Sequence, residues 1–588
     1  ALAVLIDGSV HVHDAGRWEY LTVSRVTQIA YDATGRLWAA SETGLTVDDT
    51  TYRPADGLPL LGFTAIACGA GGDGWLGTGR GAIRFDGTTW EYRQGSRWLP
   101  HDTVRAIAVD GQGRAFFATD GGLGAIARER TTLEAKAARY EAMIDARHRR
   151  TEYGFVEAAH LVRPGDLEEW ALHPSDNDGL WTGMYGAAEC FRYAATRDPE
   201  AKRRARVVFD ALTFLGEVTQ AGSNPAPPGF VARSILETSA TDPNLVDSPE
   251  RDRQKRAERD AYWKIIVPRW PTSGDGRWYW KSDTSSDELD GHYFFHALYH
   301  DLVAESAAEK AEAAEAITRI TDHLIAHGFS LVDHDGEHTR WGFFQPSELN
   351  GNPWRREERG LNSQSMLAYL TIAEHVASDP KPYARAKKEL IERHGYDINT
   401  LHPKVTSGVG GGNQSDDEMA FMNFYHLLKY ETDPELRQIY ARSLHDYWQL
   451  ERFELNPFFN FVAAVSLQDT TWRDAFGEVR LDLPADGPWR EQSIDTLRRF
   501  HLDLVDWKQT NSHRLDIVPL PKHVRPDDEP GTVGLRTNGL VLPVDERVVA
   551  HWNTDPYEFD QGGEGLRELD GTSFLLPYWL GRYHGLID

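Results

Sequence analysis

Ser285-Ser286-Asp287-Glu288-Leu289-Asp290-Gly291-His292-Tyr293-Phe294-Phe295 is the stretch on which the reading of this chain turns. A serine followed three residues later by a glutamate is a capping box, in which each side chain satisfies an orphan amide at a helix start. Beyond it, Tyr293, Phe294, Phe295, Ala297, Leu298 and Tyr299 leave no polar face, so the predicted helix lies inside a large protein. The pattern recurs twice. Ser175-Asp176-Asn177-Asp178 precedes Gly179, Leu180, Trp181, Met184, Tyr185, Ala188 and Phe191, and Ser415-Asp416-Asp417-Glu418 precedes Met419-Ala420-Phe421. Further apolar, aromatic-rich starts fall near Asn362, Pro457 and Thr572, the last two marked by a proline and a glycine turn that suit helix entrances. Charged amphipathic stretches between them, such as 307–323 and 383–393, read as outer helices.

The first 130 residues read differently. Thr27-Gln28-Ile29-Ala30, Thr64-Ala65-Ile66-Ala67 and Arg105-Ala106-Ile107-Ala108 each lead to a glycine turn and a second β run, the matched isoleucines lying 37 and then 41 residues apart. A second strand pair recurs at 10–20 and 83–92. Short strands at a period near 40 are the signature of propeller blades. The expected organisation is a β-repeat domain over 1–130, a linker helix over 131–150 and a helical domain over 151–588. Short hairpins are expected near 329–344 and 536–548.

Composition narrows the function. The net charge of −27 argues against nucleic-acid or anionic-membrane partners, which need a basic footprint. No run of about 18 apolar residues marks a membrane span, and no compartment is assigned. Cys68 and Cys190 read as separate free thiols. The chain carries 19 Trp, 22 Tyr and 24 Phe, an aromatic surplus that suits core packing and also the stacking of sugar rings.

Six inner helices alternating with outer ones describe a mainly α fold, an (α/α)6 toroid, preceded by an all-β repeat domain that is either propeller-like or an open sheet. This architecture resembles the carbohydrate-active enzymes, glycoside hydrolases and polysaccharide lyases, built on that barrel. The β repeats resemble the ligand-sensor propeller repeats of bacterial two-component regulators. In the barrel enzymes the cleft lies where the inner helices begin, and that is where this chain concentrates its acids. The resemblance implies hydrolysis of a glycosidic bond in an oligo- or polysaccharide, with lyase or unsaturated-uronide chemistry as the alternative and a non-catalytic glycan sensor as a third reading.

Glycosidic cleavage needs a protonated acid and a second carboxylate, and neighbouring acids drive each other's pKa values apart. The candidate catalytic residues are Asp178, Asp290 and Asp417, with Glu288 in reserve. Asp290 stands a turn inside its helix beside Gly291, where no capping duty explains it. Candidate substrate-binding residues are Asp176, Trp181, Trp280, His292, Tyr293, Trp341, Arg359, Asn362, Gln364 and Asp416, among which His292, Tyr293, Arg359 and Asn362 suit β-elimination. His334-Asp335-Gly336-Glu337-His338 reads as a hairpin turn rather than a metal cluster. No metal and no cofactor is expected.

Overall fold

The computed structural model describes residues 2–588 apart from 22, 24, 405–413, 523, 525–528 and 549–553, with the backbone alone of Gln414. A β-rich N-terminal region of small antiparallel sheets leads into a helical C-terminal region. The first region holds four sheets where the repeat had suggested three. They are β1 (Leu2–Ile6), β2 (Ser9–Asp14) and β3 (Arg17–Tyr20); β4 (Val26–Tyr31), β5 (Leu37–Ser41), β6 (Gly44–Val47) and β7 (Thr50–Tyr52); β8 (Ala65–Cys68), β9 (Gly74–Thr78), β10 (Gly81–Phe85) and β11 (Trp90–Arg93); and β12 (Val104–Val109), β13 (Ala115–Thr119) and β14 (Gly122–Ile126). Each sheet runs up and down in chain order, and the first strands pack β1 on β4, β4 on β8 and β8 on β12.

The D-x-x-G turns explain the repeat. The Asp32 carboxylate accepts the amides of Thr34 at 2.9 Å and Arg36 at 3.0 Å, and Asp110 accepts those of Gln112 at 2.9 Å and Arg114 at 3.0 Å. The side chain thus stands in for the missing backbone partners of a tight turn. Successive sheets are tied by Thr64 Oγ1 donating to Val104 O at 2.6 Å and by the Arg36 guanidinium donating to Gly72 O at 2.7 Å.

Twelve helices dominate the rest: α1 (Leu133–Arg147), α2 (Asp178–Thr196), α3 (Pro199–Glu217), α4 (Ser286–Leu298), α5 (Ala307–Ala326), α6 (Arg359–Val376), α7 (Lys381–His394), α8 (Gln414–Tyr430), α9 (Pro434–Glu451), α10 (Pro457–Ser466), α11 (Trp489–Arg499) and α12 (Thr572–Tyr583). Pro249–Glu258, Pro346–Leu349 and Tyr396–Asn399 are further helices in the connections. Helix α2 packs on α4, α4 on α6, α6 on α8, α8 on α10, α10 on α12, and α12 on α2. The odd-numbered helices lie against them: α3 on α2, α5 on α4, α7 on α6, α9 on α8, α11 on α10 and α1 on α12. Burial follows that order, since 12 of the 13 residues of α4 are buried but only three of the 14 of α7. No helix among the described residues is long and apolar enough to cross a membrane.

Strands inside the helical region were underread. Strands β15 (Ala159–Leu161), β16 (Trp170–Leu172), β17 (Val505–Thr510) and β18 (Asp560–Glu568) form one sheet in the order β16-β15-β18-β17. Two of these are three residues long and β18 carries glycines at 562, 563 and 565, so those three show no sustained alternation. The hairpin expected near 329–344 is present, pairing Ser330–Val332 with His338–Phe343. The one expected near 536–548 is not, because Gly534–Arg536 pairs instead with Ile517–Pro519.

The three serines do not close capping boxes on their own helices. Helix α2 is preceded by Asn177 rather than Ser175 at its cap, and Ser285 makes no side-chain cap bond to α4. Helix α8 begins at Gln414, which puts Ser415 inside its first turn. The acids reach instead to the next helix. Glu288 accepts the Gly179 amide of α2 at 2.7 Å, and Glu418 accepts from the Asn456 side chain at 3.1 Å, the residue that caps α10.

Gly291 does not leave space beside Asp290. A Cβ there would lie 2.5 Å from Leu180 Cα, and one on Gly183 would lie 2.8 Å from Gly291 O, so α2 and α4 touch backbone to backbone. Neither backbone is free to rotate away. Gly291→Ala is therefore expected to lower stability by about 1–3 kcal/mol, the usual cost of overpacking, read as a fall in the urea midpoint with an unchanged slope.

Candidate functional site

The N-terminal ends of α2, α4, α6 and α8 gather at one end of the helical region. Asp176 pairs with Lys281, and although burial pushes its carboxyl up, Arg233 and Lys281 hold it well below the usual range. Asn177 receives the Ser285 hydroxyl at 3.1 Å and donates to Asp287 at 3.3 Å. Asp287 is thereby held next to Asn177, which lines the same opening as Trp181. A cleft of about 410 Å³ runs past Asp176, Asn177, Trp181, Arg233, His160 and His173. It shares His160, Thr554 and Arg567 with a second hollow of about 580 Å³ that reaches Asp555.

Behind this mouth lies a group of carboxylates. Lys404 bridges Glu358 at 2.8 Å and Asp416 at 2.9 Å. Burial raises the Asp416 carboxyl, Glu358 and Asp287 add to it, and Lys404 pulls against them, leaving a pKa of about 6. Asp417, only partly exposed, is pushed well above the usual carboxylate range by burial and by Glu454, Asp416 and Glu418. Burial and the Asp417 charge raise Glu451 to about 8. Asp417, Glu451 and Glu454 offer oxygens that all lie within 4.8 Å of one another. Glu451 and Glu454 escaped the sequence reading because they sit at the end of outer helix α9 and in the turn that follows, away from any helix start. Their signal was the Glu451-x-x-Glu454 spacing just before Asn456-Pro457.

The other candidates are placed as follows. Asp178 is fully buried and structural, pairing with Arg150 and accepting from Ser234 Oγ at 2.9 Å and the Ile235 amide at 3.1 Å. Burial, then the Asp178 charge, raises Glu288 well above the carboxylate range. His292 is buried beside it, its Nε2 3.6 Å from Glu288, and burial lowers its pKa to about 3. Tyr293 points outward to Thr321, at 2.7 Å, and Trp280 is wholly enclosed. Asn362 donates to Phe343 O at 2.9 Å and Gln364 to Ala420 O at 2.7 Å, both buried, while Arg359 donates to Leu349 O at 2.8 Å. Trp341 lies under the Arg340 guanidinium, 3.7 Å from its ring centre. Of the residues expected at the site, the structure brings Asp176 and Trp181 to the cleft, holds Asp416 and Asp417 among the carboxylates behind it, and sets Trp280, His292, Tyr293, Asn362 and Gln364 in the packed interior.

No family model matches this chain, and no curated protein matches it. Among solved structures it is similar to the extracellular domain of a hybrid two-component system, BT3049, from B. thetaiotaomicron, at 18% identity over 21% of this chain and 21% of that one, with a TM-score of 0.18. So short and loose a likeness carries no argument about fold or activity.

Asp290 has partners that the sequence did not disclose. Its Oδ1 accepts Tyr369 Oη at 2.6 Å and Asn423 Nδ2 at 2.9 Å, and the residue is 1% exposed. Burial raises its pKa to about 8 despite both bonds. With the folded pKa above the unfolded value of 3.8, the protonated acid stabilises the fold fully below pH about 4, and that contribution is lost as pH rises through about 8. Asp290→Asn, which stays neutral, is expected to melt higher than the parent at pH 9 and to lose that advantage at pH 5. Thermal melts across that interval decide it, and a parallel pair of curves would show that Asp290 is charged in the fold.

Proposed function

We propose that this protein is a carbohydrate-active enzyme that hydrolyses a glycosidic bond, with its helices arranged as an (α/α)6 toroid. The closed packing order from α2 through α4, α6, α8, α10 and α12 back to α2, each helix backed by an odd-numbered one, supports the toroid. The observation that carries the function is the pairing of Asp416 with Asp287, which the cleft residue Asn177 holds, the Asp416 proton being held to about pH 6.

In this reading Asp416 gives its proton to the leaving oxygen, since burial and two carboxylates favour its neutral form and Lys404 limits how far that goes. Asp287, whose charge bears on Asp416, is the carboxylate that activates water or attacks the sugar. Trp181, 7% exposed, contributes apolar surface to the cleft wall. Asn177, anchored by Ser285, fixes Asp287. Asp417 was the sequence choice for catalysis, and it lies behind Asp416 on the same helix turn.

The cleft also carries Arg233, Arg567, His160 and His173. These groups, set beside Glu157 and Asp176 in a strongly acidic protein, favour as the second reading a lyase acting on an acidic sugar. A panel of neutral and uronate glycans separates the two: hydrolysis releases saturated reducing sugars, and elimination releases a product that absorbs in the ultraviolet. Glycan binding with no product would leave a sensor.

For the hydrolase, kcat/KM is expected to fall as pH rises through about 6, because the donor must be protonated. Asp416→Asn should lower kcat by about 10²–10⁴-fold with little change in KM and abolish that alkaline limb. Full activity in the variant, on a glycan the parent cleaves, removes Asp416 from the mechanism.

A further inference from the structure

We propose that the hollow between the outer helices α3 and α5 is a second binding site, one that takes a neutral sugar unit. It measures about 430 Å³ and shares no lining residue with the cleft. That volume lies within the range of small-ligand pockets. Helix α3 forms one wall and α5 the other, and Tyr153, from the segment that follows α1, closes one side.

Part of the lining satisfies itself. Arg206 pairs with Asp210 at 2.8 Å and with Glu312 at 2.7 Å, and its guanidinium stands 4.9 Å from the Phe209 ring centre. The rest does not. Arg319, partly exposed, makes no hydrogen bond and no ion pair among the described residues, although Glu315 and Glu217 line the same hollow. The carboxylates of Glu217 and Glu315 and the Tyr153 hydroxyl likewise have no partner there. The Arg319 guanidinium lies over Gly216, where a Cβ would come within 3.1 Å of it, so the glycine gives that side chain room against α3. One hollow thus presents a planar guanidinium with paired donors, two carboxylates that accept, and a phenol that does both.

The aromatic side adds a flat surface. Tyr153 stacks on Phe214 with ring centres 4.0 Å apart and planes 14° apart. Aromatic faces of this kind suit the C–H faces of a sugar ring. Charge narrows the ligand further. Two arginines face four carboxylates in the lining, an excess that opposes a phosphate or a uronate, while the unpaired Arg319 opposes an ammonium. A polyhydroxyl ligand without charge engages donors and acceptors together.

Binding here needs no cleavage in the cleft, so it goes beyond the hydrolase reading and is measured separately. The full chain is titrated with maltose, cellobiose and lactose by calorimetry and saturation-transfer NMR, with glucuronate and glucosamine in parallel. At least one neutral disaccharide should bind more tightly than either charged sugar. Arg319→Gln should weaken that binding by about tenfold or more, because a charged donor is lost, and Tyr153→Phe by less. Glu315→Gln, at an exposed position, should also weaken it and carries the test if Arg319→Gln melts below the parent. Binding that these variants leave at the parent's strength belongs to the cleft and overturns the proposal. So does the absence of any neutral-sugar binding at millimolar concentration, or tighter binding of glucuronate or glucosamine. A chain that cleaves no glycan yet shows this dependence on Arg319 keeps the site, and the hydrolase reading alone falls.

Discussion

The Glu288 carboxylate receives the Gly179 amide at 2.7 Å across the seam between α4 and α2, with both residues buried. Helix starts leave backbone amides without partners, and in a buried helix they have no water to turn to. Here a neighbour's acid supplies one. Glu418 performs the related task for α10 through Asn456, which in turn receives the Phe458 amide at 2.9 Å. Because these bonds join different helices, they fix which helices are adjacent and at what height. The backbone contact at Gly183 and Gly291 then sets how near α2 and α4 approach. Removing the acid would leave a buried amide unpaired, at a cost of about 1–3 kcal/mol.

The same arrangement explains what was legible in the sequence. The helix starts near Asp178, Pro457 and Thr572 fall where they were read, because apolar residues on every side of a helix are a local property that packing did not override. The acids were recognised as helix-start residues, but their targets were misassigned, since i to i+3 spacing describes a box within one helix and says nothing of a neighbour. Asp290 illustrates the limit. Tyr369 and Asn423, 79 and 133 residues further along the chain, convert an acid with no visible duty into a buried acceptor. Glu451 and Glu454 were invisible for the opposite reason, having no helix-start pattern and becoming important only through α8.

The β-rich region is joined to the helices by charge as well as by apolar contact. Asp545 pairs with Arg93 of β11 at 2.8 Å and with Arg499 of α11 at 2.7 Å. Glu546 accepts the Tyr92 amide at 2.9 Å and pairs with Arg514 at 2.6 Å. Two adjacent acids in one loop thus hold a strand, a helix and a following segment together. A buried network of this kind gains little net stability over an apolar one but is costly to break in part. It therefore specifies how the β-rich region meets the helices.

The carboxylates behind the mouth follow different logic. Asp545 and Glu546 are matched by arginines, whereas Asp417 and Glu451 each feel the charges of further acids. Burial and mutual repulsion both favour protonation there, so each charge carried at neutral pH works against the fold. Raised pKa values without full compensation are characteristic of sites shaped by binding or chemistry rather than by stability. The fold has the means to avoid this strain, because it neutralises Asp178 with Arg150, Ser234 and a backbone amide only a short way around the same rim. The raised carboxyls of Asp416, Asp417 and Glu451 are thus a local feature of the region where the helix starts gather.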